Sequence, residues 1–294
     1  MLITPIDKIS KESKELNSHS KLFQIYKDLN LASLKSDTYF QTYEELFKEY
    51  IDKEITFVEI GVLHGGSLLM WRKYLGPKAR IIGIDLDPRA KELEKNGFEI
   101  FIGSQSDINF WKKFYAQVGK IDVLLDDGGH VNDQQIITLN EAINNTNDGG
   151  IIVVEDVHTS YLKKFGNPTN FSFINYGKYL IDVINSRFPG IKNTNEYSKK
   201  IYSMSFYNSI VAVKIDTKKS IRSTVIKNTS IERMNVADYR ATDYFPKIDK
   251  FINEKVPALK KIPLIKKIIR YFFYTHNFII KFRHYLKLKK FFKR

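Results

Sequence analysis

Two acidic clusters hold the residue types best suited to chemistry. The first is Asp126-Asp127-Gly128-Gly129-His130; the second is Glu155-Asp156, followed by His158. Adjacent carboxylates repel, and burial adds a desolvation cost that a cation offsets. Asp127, Glu155 and Asp156 together offer three carboxylates to one hard cation. Oxygen-only ligation suits Mg2+, Mn2+ or Ca2+ rather than zinc. His130 would face the same space, and a histidine, whose ordinary pKa is near neutrality, can take a proton from a hydroxyl held there. The competing reading is a solvated acidic rim with a surface histidine.

A second set of residues suits a nucleotide-like ligand. The run Val58-Glu59-Ile60 leads into a turn with Gly61, Gly65 and Gly66, then a helical pattern from Ser67. Strand, glycine turn, helix is the layout that lets a backbone approach such a ligand closely. G-x-x-x-G-G departs from the dinucleotide fingerprint G-x-G-x-x-G, so the turn alone is a weak signal. Asp85 strengthens it. This acid ends the apolar run Arg80 to Asp85, 24 residues beyond Gly61, where it can accept hydrogen bonds from ribose hydroxyls. After a third apolar run comes Gly103-Ser104-Gln105-Ser106-Asp107. Gln105 and Ser106 are candidates for an adenine pocket, while Ser106 or Asp107 equally suits a helix cap.

These residues must be held by a scaffold, and the hydrophobic pattern supplies one. Strand candidates at 55–60, 80–84, 98–102, 121–125 and 150–154 alternate with helical segments at 67–75, 88–95, 107–118 and 133–144. The pattern predicts an α/β fold with a doubly wound, mostly parallel sheet. Right-handed crossovers put the strand C-termini, and so the candidate residues, on one edge. Residues 1–50 read as a helical N-terminal extension, either a lid or a packed addition, and 51–216 as the ligand-binding domain. Within it, 172–187 reads as a helix with aromatic core residues, and 201–215 as a hairpin closing the sheet. Residues 217–259 read as a linker or surface segment. Residues 260–294 read as a basic amphipathic helix.

Composition bounds the class. Of 294 residues, 43% are hydrophobic and 27% charged, as in ordinary globular proteins. There is no cysteine, which excludes disulfides and thiolate metal sites. The net charge of +14 is concentrated in the tail, where 260–294 hold twelve Lys or Arg and no acid. Basic residues interleaved with Phe, Tyr and Ile suit an in-plane membrane binder, with RNA, an acidic partner or an oligomerising coil as alternatives. No signal-peptide layout precedes the first domain, and no run approaches about 18 apolar residues. The expected location is the cytoplasm, with peripheral placement at the inner face of the membrane.

With these motifs assembled, the chain resembles class I S-adenosylmethionine-dependent methyltransferases. The nearer likeness is to the metal-dependent sugar O-methyltransferases of macrolide and aminocoumarin biosynthesis and to cephalosporin-hydroxylase-like proteins. The residues that carry it are Glu59 to Ser67, Trp71, Gly83-Ile84-Asp85, Gly103 to Asp107, Asp126 to His130, Gly149 to Asp156 and His158 to Tyr161, within about 37–215. The resemblance implies that Gly61, Gly65 and Ser67 contact the methionine part of S-adenosylmethionine, that Asp85 binds its ribose, and that Gln105 and Ser106 lie by the adenine. Glu59 and Asp126 join the cofactor set, although Asp126 and Asp127 could exchange roles. Asp127, Glu155 and Asp156 would hold Mg2+, with His130 as general base. The implied function is methylation of a sugar hydroxyl; the membrane-like tail adds the expectation of a cell-surface glycan acceptor in polysaccharide biosynthesis. The expected partners are a sugar or glycan acceptor and, through the basic tail 260–294, a membrane surface, not nucleic acid, with a homo-oligomer left open. A nicotinamide-dependent oxidoreductase and a non-catalytic binding module using the tail are the alternatives. No 2-His-1-carboxylate spacing supports oxidation chemistry.

Overall fold

The computed structural model describes residues 3–166, 169–192 and 195–226, residue 228, and separate positions between 271 and 291. Two compact units divide the chain, Met1–Ile226 and Lys227–Arg294. In the first, three short helices, α1 (Lys11–Leu16), α2 (Lys21–Lys27) and α3 (Tyr39–Phe47), precede the sheet. The alternation then follows the pattern in the sequence: β1 (Thr56–Ile60), α4 (Gly66–Leu75), β2 (Arg80–Asp85), β3 (Glu99–Ile102), α5 (Ile108–Val118), β4 (Ile121–Asp126), α6 (Asn132–Asn145) and β5 (Thr146–Val154). After α7 (Phe173–Asn185) come β6 (Ile201–Tyr207) and β7 (Ile210–Ile215).

The sheet order is β3-β2-β1-β4-β5-β7-β6. The first five strands are parallel, and the β6–β7 hairpin adds antiparallel to β5. The doubly wound expectation therefore holds, and the hairpin extends the sheet beyond β5. Strand order reverses between β1 and β4, so their C-terminal ends open the crevice where ligands bind in such sheets. One expected helix differs. Pro88–Asn96 is a 3-10 run between the Asp87 cap and left-handed Gly97, and it buries only Ala90. With so little apolar face, packing cannot hold a full α-helix there.

Two apolar layers sandwich the sheet. One contains α2, α3, α4 and the sheet residues Phe57, Val123, Leu125 and Val153. The other contains α5, α6, α7 with Val58, Ile60, Leu124 and Val154. The alternation along each strand is the two-residue period of a pleated strand. Helix α3 buries Tyr39, Tyr43 and Phe47, four residues apart on one face. The N-terminal extension is thus part of the core. Around fully buried Trp71 stand Tyr43, Phe47 and Phe57, with ring centroids 5.2, 5.3 and 5.2 Å away. Trp71→Ala is expected to cost about 3–5 kcal/mol, read as a lower urea midpoint with an unchanged slope.

In the second unit, Tyr271, Phe278, Ile279, Phe282, Arg283 and 285–289 are helical and exposed, and the rings of Phe278, Phe282 and Tyr285 stack in succession. The linker over 217–259 and the remainder of the tail helix lie outside the described residues, apart from 217–226 and residue 228. Among the described residues, no helix is long and apolar enough to cross a membrane.

Candidate active site

Strand alternation decides where each acid points. In β4, Leu124 faces the α5–α7 layer and Leu125 the N-terminal layer. Asp126 therefore turns with Leu124, and Asp127 with Leu125. The buried Asp126 Oδ1 accepts from Gln105 Nε2 at 2.9 Å and from the Gly128 N–H at 3.2 Å. Gln105 Nε2 also donates to Thr138 Oγ1, and its Oε1 accepts the Gly129 N–H. Burial pushes the Asp126 carboxyl up to about 6, against the opposing pull of these hydrogen bonds. Asp126 and Gln105 thus brace the turn that presents Asp127 and His130.

Asp127 lies on the opposite side. Its Oδ1 is 3.8 Å from His130 Nε2, and Asp156 Oδ2 is 3.5 Å from the same nitrogen. Donor atoms of Asp127, His130 and Asp156 all lie within 4.8 Å of one another. Two carboxylates and an imidazole at this spacing suit a divalent cation. His130 and Asp156 both adopt left-handed backbone, φ 56° and 53°, a conformation disfavoured for residues with a Cβ that clusters at functional sites. Thr159 Oγ1 donates to the His130 carbonyl at 2.8 Å, and the Tyr39 hydroxyl donates to Asp156 Oδ1. His158 Nδ1 is 2.5 Å from Ser209 Oγ and 3.9 Å from Asp156.

Glu155 does not join that cluster. Its carboxylate turns into the N-terminal layer, where the Tyr43 hydroxyl donates to it at 2.6 Å. Lys35, from the segment between α2 and α3, meets it there. Lys35 Nζ lies 2.6 Å from Asp127 Oδ2, 3.2 Å from Glu155 Oε1 and 3.4 Å from Glu59 Oε1. The Lys35 side chain is 1% exposed. Burial by itself would lower its pKa, but Asp127, Glu155 and Glu59 hold it well above the usual value. Burial and the nearby Asp127 raise Glu155, opposed by Lys35 and Tyr43. Sequence reading missed Lys35 because it sits in an unpatterned loop 120 residues from Glu155. The available signal was Glu59, a carboxylate in an otherwise apolar strand, which needs a buried partner.

A cavity of about 870 Å³ runs from Asp85 to this centre. Gly61, Ser67, Asp85, Asp127, His130 and Asp156 line it. Asp85 is held by the N–H groups of Val62 and Asp87, at 3.0 and 2.9 Å. Gly61, at φ +83°, lies so close to Asp127 that an added Cβ would sit 2.1 Å from its carbonyl oxygen. Residues Asn30 to Leu34 form another wall of the cavity. Gly66 admits that wall, since a Cβ there would come within 2.6 Å of the Leu31 and Ala32 carbonyl oxygens. Gly65 caps α4 and packs on Leu93. Neither Gly65, Glu59, Gln105, Ser106, Asp126 nor Glu155 is among the lining residues.

Comparison with known proteins bears on this arrangement. Residues 58–157, from β1 to just past Asp156, match the family model of a methyltransferase domain. That segment of the chain is similar to a methyltransferase domain. The 8-demethyl-8-alpha-L-rhamnosyl tetracenomycin-C 2'-O-methyltransferase of Streptomyces olivaceus is 32% identical over 135 residues, 44% of this chain and 35% of that protein. The mycinamicin VI 2''-O-methyltransferase of Micromonospora griseorubida is 28% identical over 180 residues, 54% of this chain and 45% of that one. The match thus spans less than half the length of either relative. In architecture the chain is similar to the MycE methyltransferase from the mycinamycin biosynthetic pathway, solved in complex with Mg, SAH and mycinamycin VI. Its TM-score is 0.61 at 23% identity, covering 72% of this chain and 57% of that one. The methyltransferase domain includes all the candidate site residues named from the sequence; Lys35, Tyr39 and Tyr43 precede it.

Proposed function

We propose that the protein is a divalent-metal-dependent S-adenosylmethionine O-methyltransferase acting on a sugar hydroxyl. One observation carries the reading: a single cavity is lined both by Asp85 and by the Asp127–His130–Asp156 cluster. Asp85 would accept from the ribose hydroxyls, and the Gly61 turn and Ser67 would contact the amino-acid part of the cofactor. A volume of about 870 Å³ is within the range of small-molecule and cofactor sites. Asp127 and Asp156 are the residues that would hold Mg2+, with His130 beside them. The sugar 2'- and 2''-O-methyltransferase names of the relatives support the acceptor class.

The bound groups would supply an electrophilic methyl group and a Lewis acid that orients the acceptor and lowers its hydroxyl pKa. The chain's part is to align the acceptor oxygen and remove its proton. His130 would take that proton as the acceptor oxygen receives the methyl group that the cofactor would supply. Thr159 and the turn braced by Gln105 fix the His130 backbone, and so the point from which the imidazole reaches the cavity.

Calorimetric titration with S-adenosylmethionine, with and without Mg2+, on wild type and Asp127→Ala tests the assignment. Micromolar binding of the cofactor to both proteins, with Mg2+ binding lost in the variant, is expected. A folded wild type that does not bind S-adenosylmethionine would overturn the assignment. A cell-surface glycan acceptor and a membrane-surface location rest on the basic, aromatic tail. The full chain is expected to sediment with anionic vesicles and to be released as salt screens the attraction; equal pelleting with neutral vesicles would count against it.

A further inference from the structure

The acidic centre already contains a cation of its own. Glu59, Asp127 and Glu155 converge from β1, β4 and β5 on Lys35 Nζ, at 3.4, 2.6 and 3.2 Å. The Tyr43 ring lies 5.7 Å from the same nitrogen. Asp127 is shared: Oδ2 accepts from Lys35, while Oδ1 is the oxygen nearest His130. Glu155 presents both oxygens to Lys35, at 3.2 and 3.3 Å. The residues just before Lys35 form a wall of the cofactor-sized cavity and pack against Gly66.

We infer that Lys35 is a resident ammonium that competes with the divalent ion for Asp127 and Glu155. Binding of the ion withdraws Lys35 and loosens the 30–34 wall with it. The inference rests on the metal-dependent reading above. The physical reason is charge: two cations sharing the oxygens of Asp127 repel at a separation of a few ångströms, and burial leaves little water to screen them. A carboxylate pair vacated by Lys35 offers a hard ion more oxygen donors than Asp127 and Asp156 alone. Lys35 is a positioning residue here, acting on the site through Asp127.

The test uses Mn2+ as the probe on the full chain. Free Mn2+ is followed by electron spin resonance for wild type, Lys35→Gln and Lys35→Arg. The expected result is Mn2+ affinity raised about tenfold or more in Lys35→Gln and not in Lys35→Arg, which keeps the charge. Lys35→Gln leaves buried acids without their partner and risks misfolding, so a second readout uses wild type alone. Reductive methylation of Lys35, mapped by mass spectrometry, is expected to be slow without metal and several-fold faster at saturating Mn2+. Bound Mn2+ with Lys35 still protected would overturn the competition while leaving the metal-dependent reading intact. Absence of Mn2+ binding to wild type and both variants would overturn both.

Discussion

His130→Ala is expected to lower kcat for methyl transfer by about 10²–10⁴-fold, the usual contribution of a positioned general base. Binding of S-adenosylmethionine should be unchanged, because the proposed cofactor contacts are Asp85 and the Gly61 turn, which line the same cavity without involving the His130 ring. The variant should fold, since His130 is a partly exposed side chain whose backbone carbonyl, not its ring, holds Thr159. Steady-state kinetics with a panel of sugar acceptors, alongside calorimetry with the cofactor, separate the two effects. A kcat within a few-fold of wild type would remove His130 from the chemistry. Weakened cofactor binding at unchanged kcat would instead make it part of the cofactor pocket.

Gly61→Ala is expected to destabilise the fold by about 2–5 kcal/mol, the sum of left-handed backbone strain and overpacking. The added Cβ would meet the Asp127 carbonyl oxygen at 2.1 Å, and its other near neighbours are also backbone, Asp127 C and Gly128 Cα. Backbone cannot rotate away as a side-chain tip can. Relief requires the β1 and β4 ends to part, and this moves Asp127. The urea midpoint should fall, and any protein that still folds should bind both Mg2+ and S-adenosylmethionine more weakly. A midpoint within experimental scatter of wild type would show that the two strand ends separate freely.

Local pattern made much of this legible in advance. Runs such as Arg80 to Asp85 and Ile121 to Asp126 are apolar because both sheet faces are covered, and turn residues bound them. The candidate acids fall at or just past strand ends, Glu59 within β1 excepted, and Asp85, Asp127, His130 and Asp156 do line one cavity. The family likeness over the β1–β5 region was visible for the same reason, since ligand loops keep fixed positions relative to strand ends.

The order of strands and helices, and which residues end the strands, were legible in the chain because both depend on neighbours within a few positions. Which way each acid faces and what it meets came only with the packed fold. Asp126 and Asp127 are adjacent in the chain, yet the pleat sends one to Gln105 and the other to Lys35. Glu155 and Asp156 part likewise, one toward Lys35 and Tyr43, the other toward His130. A buried charge takes its partner from whichever segment packs over it, and here that segment is a loop with no periodic signal. The roles of Lys35, Tyr39 and Tyr43 could be read only once α3 and its preceding loop were seen packed against the β1–β4–β5 edge.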